Sequence, residues 1–202
     1  MMGRERLDRP VILASRSPRR AEILSRMDIP FETDVPGISH EEEVEFLDVD
    51  NLDASLQRLA REKAVKAARR HREALVLGAD TVVVLRGALL GKPESEEEAA
   101  EMLARLSGRR HRVLTGVALL CDACGFSRSA VAATDVTFRR LPEGDIRTYL
   151  QKEEYSDKAG AYAIQGAAMT FVKRIEGCFF NVMGLPVFAT IRLFKDYAAT
   201  RS

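Results

Sequence analysis

The sequence predicts an α/β protein: a mixed, twisted sheet flanked by helices. Two observations predict it. In the first half, short apolar runs that read as strands alternate with amphipathic stretches at helical spacing. In the second half, apolar runs separated by turn signals read as hairpins. The 202 residues are 46% apolar, enough for a large core, and one domain over residues 1–202 is expected.

Val11-Ile12-Leu13 reads as the first buried strand, and Ile23, Leu24 and Met27 mark one face of the first helix. Between them stands Ser15-Arg16-Ser17-Pro18-Arg19-Arg20. Ser17 suits an N-cap and Pro18 the first helical position. Arg19 and Arg20 then fall in the first turn, where the helix dipole disfavours each cation by about 0.3–1 kcal/mol. A bound phosphate removes the conflict, because backbone N–H groups, a hydroxyl and two guanidinium forks would converge on it. Two solvated arginines on an exposed turn are the plain alternative, and the local pattern does not choose.

Phe31–Val35 reads as a strand ending at Pro36-Gly37. Residues 38–50 are acidic and read as a surface loop, with one carboxylate able to assist a divalent cation. A helix is predicted from Leu52 to about Arg72, on a stripe of Leu52, Leu56, Leu59, Ala60 and Ala67. Lys63 lies near the centre of that stripe. There it must snorkel or meet a negative partner. Leu75–Leu85 is an apolar run interrupted by Asp80 and Thr81, which break a buried strand or mark a bend in it. A buried acid of this kind is a candidate base or metal ligand, or is satisfied by backbone N–H groups in a turn.

Arg86-Gly87 signals a hairpin turn, and Lys92 follows in Gly91-Lys92-Pro93, a loop lysine on local evidence. Ser95 and Glu98 form a capping box ahead of a helix with Ala99, Met102, Leu103 and Leu106 inward, closed by Ser107-Gly108. Val113–Leu120 and Ala130–Phe138 read as a hairpin around a turn at residues 122–125. Residues 142–150 read as a short helix. Residues 157–166 form a loop of small residues that lets a ligand approach its backbone or fits beneath a sheet. Residues 170–175 and 178–182 read as a further hairpin about Glu176-Gly177. A last helix ends near Ala198, with Val187, Ile191 and Phe194 inward.

Lysine plus arginine number 31 and aspartate plus glutamate 30, which gives no basic footprint for duplex nucleic acid. No apolar run spans a bilayer, and residues 1–6 contain no apolar core of a signal peptide. The three cysteines, Cys121, Cys124 and Cys178, point to a reducing, cytoplasmic setting. The single C-x-x-C lacks a second ligand pair for structural zinc.

In order and spacing, several motifs together resemble the Maf family of nucleoside triphosphate pyrophosphatases over nearly the whole length. They are Ala14-Ser15-Arg16-Ser17-Pro18-Arg19-Arg20, Arg61-Glu62-Lys63-Ala64, Gly78-Ala79-Asp80-Thr81, Gly91-Lys92-Pro93 and Ser107-Gly108. Asp157-Lys158-Ala159-Gly160-Ala161-Tyr162, Ile164-Gln165-Gly166 and Gly184-Leu185-Pro186 complete the set. The resemblance implies an ITPase-like fold with two lobes around a central cleft, often a homodimer. It implies hydrolysis of a nucleotide to its monophosphate and pyrophosphate with Mg²⁺ or Mn²⁺.

By the same resemblance Ser15, Arg19, Arg20, Lys63 and Lys92 hold the phosphates, and Asp157 and Lys158 belong to the cleft. Asp80 is the proton acceptor or a metal ligand. An acidic residue after the second strand assists the metal, at His40 or Glu41 by alignment, with Glu41 expected. Arg19, Thr81 and Gln165 match the branch acting on dTTP and UTP, a nucleotide-pool house-cleaning role. A glutamine amide donates and accepts, so it suits the O4/N3–H edge of thymine and uracil, although it can rotate to meet cytosine. The rival expectation is a nucleotide-sensing regulator of cell division with incidental hydrolysis.

Overall fold

The computed structural model describes residues 7–35, 37–38, 42 and 45–201. Its strands are β1 (Val11–Ala14), β2 (Glu32–Thr33), β3 (Leu75–Leu85), β4 (Ala88–Leu90), β5 (Arg110–Cys121), β6 (Phe126–Phe138) and β7 (Val172–Glu176). They form one sheet in the order β2-β1-β3-β5-β6-β7, with β4 beside β3. β1 runs parallel to β2 and β3, whereas β4 is antiparallel to β3 and β7 to β6, so the sheet is mixed, as predicted. The helices are α1 (Pro18–Arg26), α2 (Leu52–Ala68), α3 (Glu96–Leu106), α4 (Glu143–Leu150), the single turn α5 (Phe179–Val182) and α6 (Val187–Ala199).

Local chemistry accounts for most boundaries. Arg86 and Gly87 both take positive φ, 52° and 82°, as a two-residue hairpin turn requires. Ser95 Oγ accepts the Glu98 N–H at 3.2 Å and starts α3. The Glu98 carboxylate reaches back to the N–H of Glu94 rather than of Ser95.

Four expectations need correction. β2 pairs only Glu32 and Thr33; Asp34 N–H still donates to Leu13 O at 3.0 Å, while its carboxylate turns to the Arg70 fork and to His71 Nε2. α2 ends at Ala68, where Arg70 and His71 N–H groups turn to the carbonyls of Ala67 and Ala68 three residues back. Residues 178–182 are not a strand. The backbone of Cys178 exchanges two hydrogen bonds with the Thr134 hydroxyl in place of a ladder, and buried Asn181 donates to Val113 O at 3.0 Å. In α6 the buried residues are Thr190, Leu193, Phe194 and Tyr197, with Val187 and Ile191 half-buried, so the inward face is rotated from the one predicted.

The chain divides into two compact units. The first takes the chain up to Asp80, Thr115–Ala132 and the chain from Gly184 onward. In its core Ala64, Ala67 and Ala68 of α2 pack on Ile12, Ala14 and Val76 of the sheet, with Leu120. Small side chains let the helix lie close to the strands. Two strand glycines bring it closer still. A Cβ on Gly78 would stand 2.1 Å from Ala60 O, and one on Gly116 would stand 2.4 Å from Leu56 O.

The second unit takes Thr81–Leu114 and Ala133–Met183. There α3 packs on α4. Phe138 makes edge contacts with His111, Tyr162 and Phe171, and Phe171 with Tyr149.

Cys121 and Cys124 are joined in a disulfide across the β5–β6 turn, against the reduced thiols that a reducing compartment implies. Cys178 is a free thiol. Among the described residues no helix is long and apolar enough to cross a membrane.

Candidate active site

In the first unit the parallel pairing sets the geometry. Ala14 stands beside Gly78, so Ser15 leaves β1 next to the stretch of β3 that ends in Asp80. Ligands of parallel sheets gather outside such carboxyl ends. Ser15 Oγ accepts the Ser17 N–H at 3.1 Å. Ser17 occupies the N-cap as expected, yet its own hydroxyl makes no capping bond. Arg20 donates from Nε to Gly184 O at 2.8 Å and from Nη1 to Ser15 Oγ at 3.2 Å. It therefore fastens the loop before α1 to Gly184-Leu185-Pro186, a role not legible in the sequence. Arg19 is half-buried in the first turn of α1.

Arg20→Lys keeps the charge and loses the fork. The ligand-free protein should lose about 1.5–3 kcal/mol in chemical denaturation, the worth of one charge-assisted bond. Unchanged unfolding would show that the fork fastens nothing.

α2 and β3 supply the central pair. Lys63 Nζ lies 2.5 Å from Asp80 Oδ1, and the two residues are 6% and 9% exposed. Lysine at the centre of an apolar face thus meets a negative partner rather than snorkelling. Lys63 sits between Ala60 and Ala64, the residues whose backbone approaches Gly78 most closely, so the missing side chain at 78 is what lets the ammonium reach Asp80. Asp80 does not break the strand, since β3 is continuous from Leu75 to Leu85.

In the second unit Thr81 is half-buried on β3, and Lys92 and Gln165 are exposed. Gly160 N–H donates to Gly91 O at 2.9 Å, which ties the Lys92 loop to the Asp157–Gly160 loop. Gly160 has φ 71°, a left-handed backbone that favours glycine, and a Cβ there would also crowd Val83 at 3.2 Å. Lys158 pairs with Asp157, leaving the Asp157 carboxylate largely exposed.

Glu41 and His40, the expected metal-assisting positions, lie outside the described residues. Among the described residues no group of three or more His, Cys, Asp or Glu is placed to hold a metal. A lone carboxylate is nevertheless a fitting donor for Mg²⁺, which keeps waters and substrate phosphates as its other ligands.

Nothing in the local sequence pattern marks His111. It is buried, with Nε2 2.9 Å from the Tyr162 hydroxyl. Burial pushes the imidazole down to about 4, and burial also raises the Tyr162 phenol.

Between about pH 6.5 and 4 the unfolded chain binds a proton at His111 that the folded chain does not. The stability held above pH 6.5 is therefore lost as pH falls through 4, by about 3 kcal/mol in all. Denaturant melts of wild type and His111→Phe at pH 7 and pH 4.5 check this. The variant should show a flatter pH dependence, and parallel losses in both proteins would exclude His111 as the cause.

The Maf-like protein family matches residues 10–197. The chain belongs to the Maf family. Among its relatives, the dTTP/UTP pyrophosphatase of Halalkalibacterium halodurans is 44% identical over 93% of this chain and 95% of its own. That of Syntrophus aciditrophicus is 45% identical over 94% and 91%. The Escherichia coli K12 dTTP/UTP pyrophosphatase is 42% identical over 94% and 93%. The solved structure of the Staphylococcus aureus Ham1 protein aligns over 96% of this chain and all of its own, with a TM-score of 0.47 and 11% identity. In this Maf-family chain, Ser15, Arg20, Lys63 and Asp80 belong to the first unit, and Thr81, Lys92, Asp157, Lys158 and Gln165 to the second.

Proposed function

We propose that this chain is a nucleoside triphosphate pyrophosphatase acting on dTTP and UTP. The observation that carries the reading is likeness over more than nine-tenths of the chain to relatives named for that activity. The buried Lys63–Asp80 pair supports it, since an acid kept among apolar residues and faced by a cation is poised for chemistry rather than for solubility.

In the reaction, water attacks the α-phosphorus, a P–O bond forms, and the bond to the bridging oxygen breaks with its electron pair leaving on pyrophosphate. Asp80 takes the water's proton or helps hold the divalent cation. Ser15, Arg19, Arg20, Lys63 and Lys92 bind the phosphates and offset charge on the leaving group. Mg²⁺ or Mn²⁺, held by Asp80 with help from Glu41, supplies further charge stabilisation when bound. Arg19, Thr81 and Gln165 select the base, and Asp157 and Lys158 assist in binding the nucleotide. The proposed working form is a homodimer in the cytoplasm.

A panel of triphosphates with Mg²⁺, scored for pyrophosphate release, tests the reading. dTTP and UTP should exceed CTP, ATP and GTP by about 10²-fold or more in kcat/KM, the scale on which a mismatched hydrogen-bonding edge is rejected. A faster CTP or purine reaction would overturn the base assignment. Release of orthophosphate alone would overturn cleavage between the α- and β-phosphates.

A further inference from the structure

Gln165 stands in a tight turn. Gly166 N–H donates to Ala163 O at 2.9 Å, which places Gln165 third of four residues, with its side chain exposed. Both flanks of this turn are held from α4 and the segment after it. The Tyr149 hydroxyl accepts the Ala163 N–H at 3.1 Å, and Glu154 Oε2 accepts the Ala167 N–H at 2.8 Å. Tyr149 is 2% exposed, with its ring edge against Phe171. Its hydroxyl is therefore fixed by packing.

The Glu154 carboxylate also occupies the space in which a side chain at 166 would begin. A Cβ on Gly166 would lie 1.9 Å from Oε2 and 2.7 Å from the carboxyl carbon. Gly166 has φ −92° and ψ −155°, extended backbone open to other residues. A side chain at 166 would therefore have to push the Glu154 carboxylate off its place, although the dihedrals of Gly166 do not themselves call for glycine.

We infer that Glu154 and Tyr149 are positioning residues for Gln165, fixing the turn that aims its amide. This rests on the reading that Gln165 meets the edge of the base. An amide discriminates between bases only when its plane is held, because a freely turning one offers donor or acceptor to any partner. Two anchors on opposite sides of a four-residue turn supply that hold, and neither residue needs to touch the nucleotide.

The test measures kcat/KM for UTP and CTP, together with thermal unfolding of the ligand-free protein. Glu154→Ala should lower the UTP value about ten-fold while CTP changes less, so that the UTP/CTP ratio narrows. Tyr149→Phe should narrow it in the same direction. Glu154→Gln should restore it, because an amide oxygen still accepts the Ala167 N–H. Gly166→Ala should displace the Glu154 carboxylate from the Ala167 N–H and narrow the ratio to about the Glu154→Ala level, and adding Glu154→Ala to it should narrow the ratio no further.

Equal losses on UTP and CTP in Glu154→Ala would leave a purely structural cap and overturn the inference. So would a Gly166→Ala variant that keeps the wild-type UTP/CTP ratio. A wild type that hydrolyses neither UTP nor dTTP overturns the base-reading role of Gln165 before any variant is compared. The melting-temperature cycle separately reports whether Glu154 and Gly166 are in contact.

Discussion

Asp80→Asn lowers kcat on UTP by about 10²–10⁴-fold, the range that a positioned proton acceptor contributes. The replacement keeps shape and leaves the Lys63 ammonium, 2.5 Å from Oδ1, facing a neutral amide. Breaking a buried pair from one side costs roughly 3–5 kcal/mol. Rates are therefore compared well below the melting point of the variant, with circular dichroism as the check on folding. A folded variant within a few-fold of wild type would remove Asp80 from the chemistry. Titration with Mn²⁺ separates the two roles proposed for it. A carboxylate that only binds the cation is recovered by raising the cation concentration, whereas a proton acceptor is not.

Gly78→Ala abolishes most activity at temperatures where the chain stays folded, by about 10²-fold, the effect of roughly 1 Å of misplacement at a reacting centre. The new Cβ would stand 2.1 Å from Ala60 O and 2.9 Å from Ala64 N. Both are backbone atoms of α2 and cannot rotate away, so the helix shifts and carries Lys63 off Asp80. Overpacking of this kind costs about 1–3 kcal/mol, occasionally more. Gly116→Ala is the control. Its Cβ meets the same helix at Leu56 O, two turns before Lys63, so it should cost similar stability with a smaller loss of rate. Equal activity of the two variants at equal folded fraction would show that the approach at Gly78 does not place Lys63.

Much of the first unit was legible because its signals are local. Pro18 at the first position of α1, the apolar stripe of α2 and the apolar run of β3 each state a dihedral preference or a buried face within a few residues. Reading failed where a distant contact overrode local preference. The run 170–182 looked like two strands about Glu176-Gly177, but Thr134 and Val113 capture Cys178 and Asn181 from elsewhere in the chain. The expected interruption at Asp80 likewise vanished because its charge is met by Lys63, 17 residues away.

By itself the sequence determined the mixed α/β class, the turn at Arg86-Gly87, the start of α3 and, through the order of its motifs, the Maf family. These follow from backbone dihedrals, hydrophobic period and residue spacing, none of which needs a partner from another part of the fold. Only the tertiary structure decided that Lys63 meets Asp80, that Arg20 joins Ser15 to Gly184, 164 positions after Arg20, that the Ala60 backbone stands where a side chain at Gly78 would be, and that the Glu154 carboxylate sits against Gly166. A charge finds its counter-charge, and a glycine its reason, only when packing brings remote segments within a few ångströms, where sequence spacing carries no information.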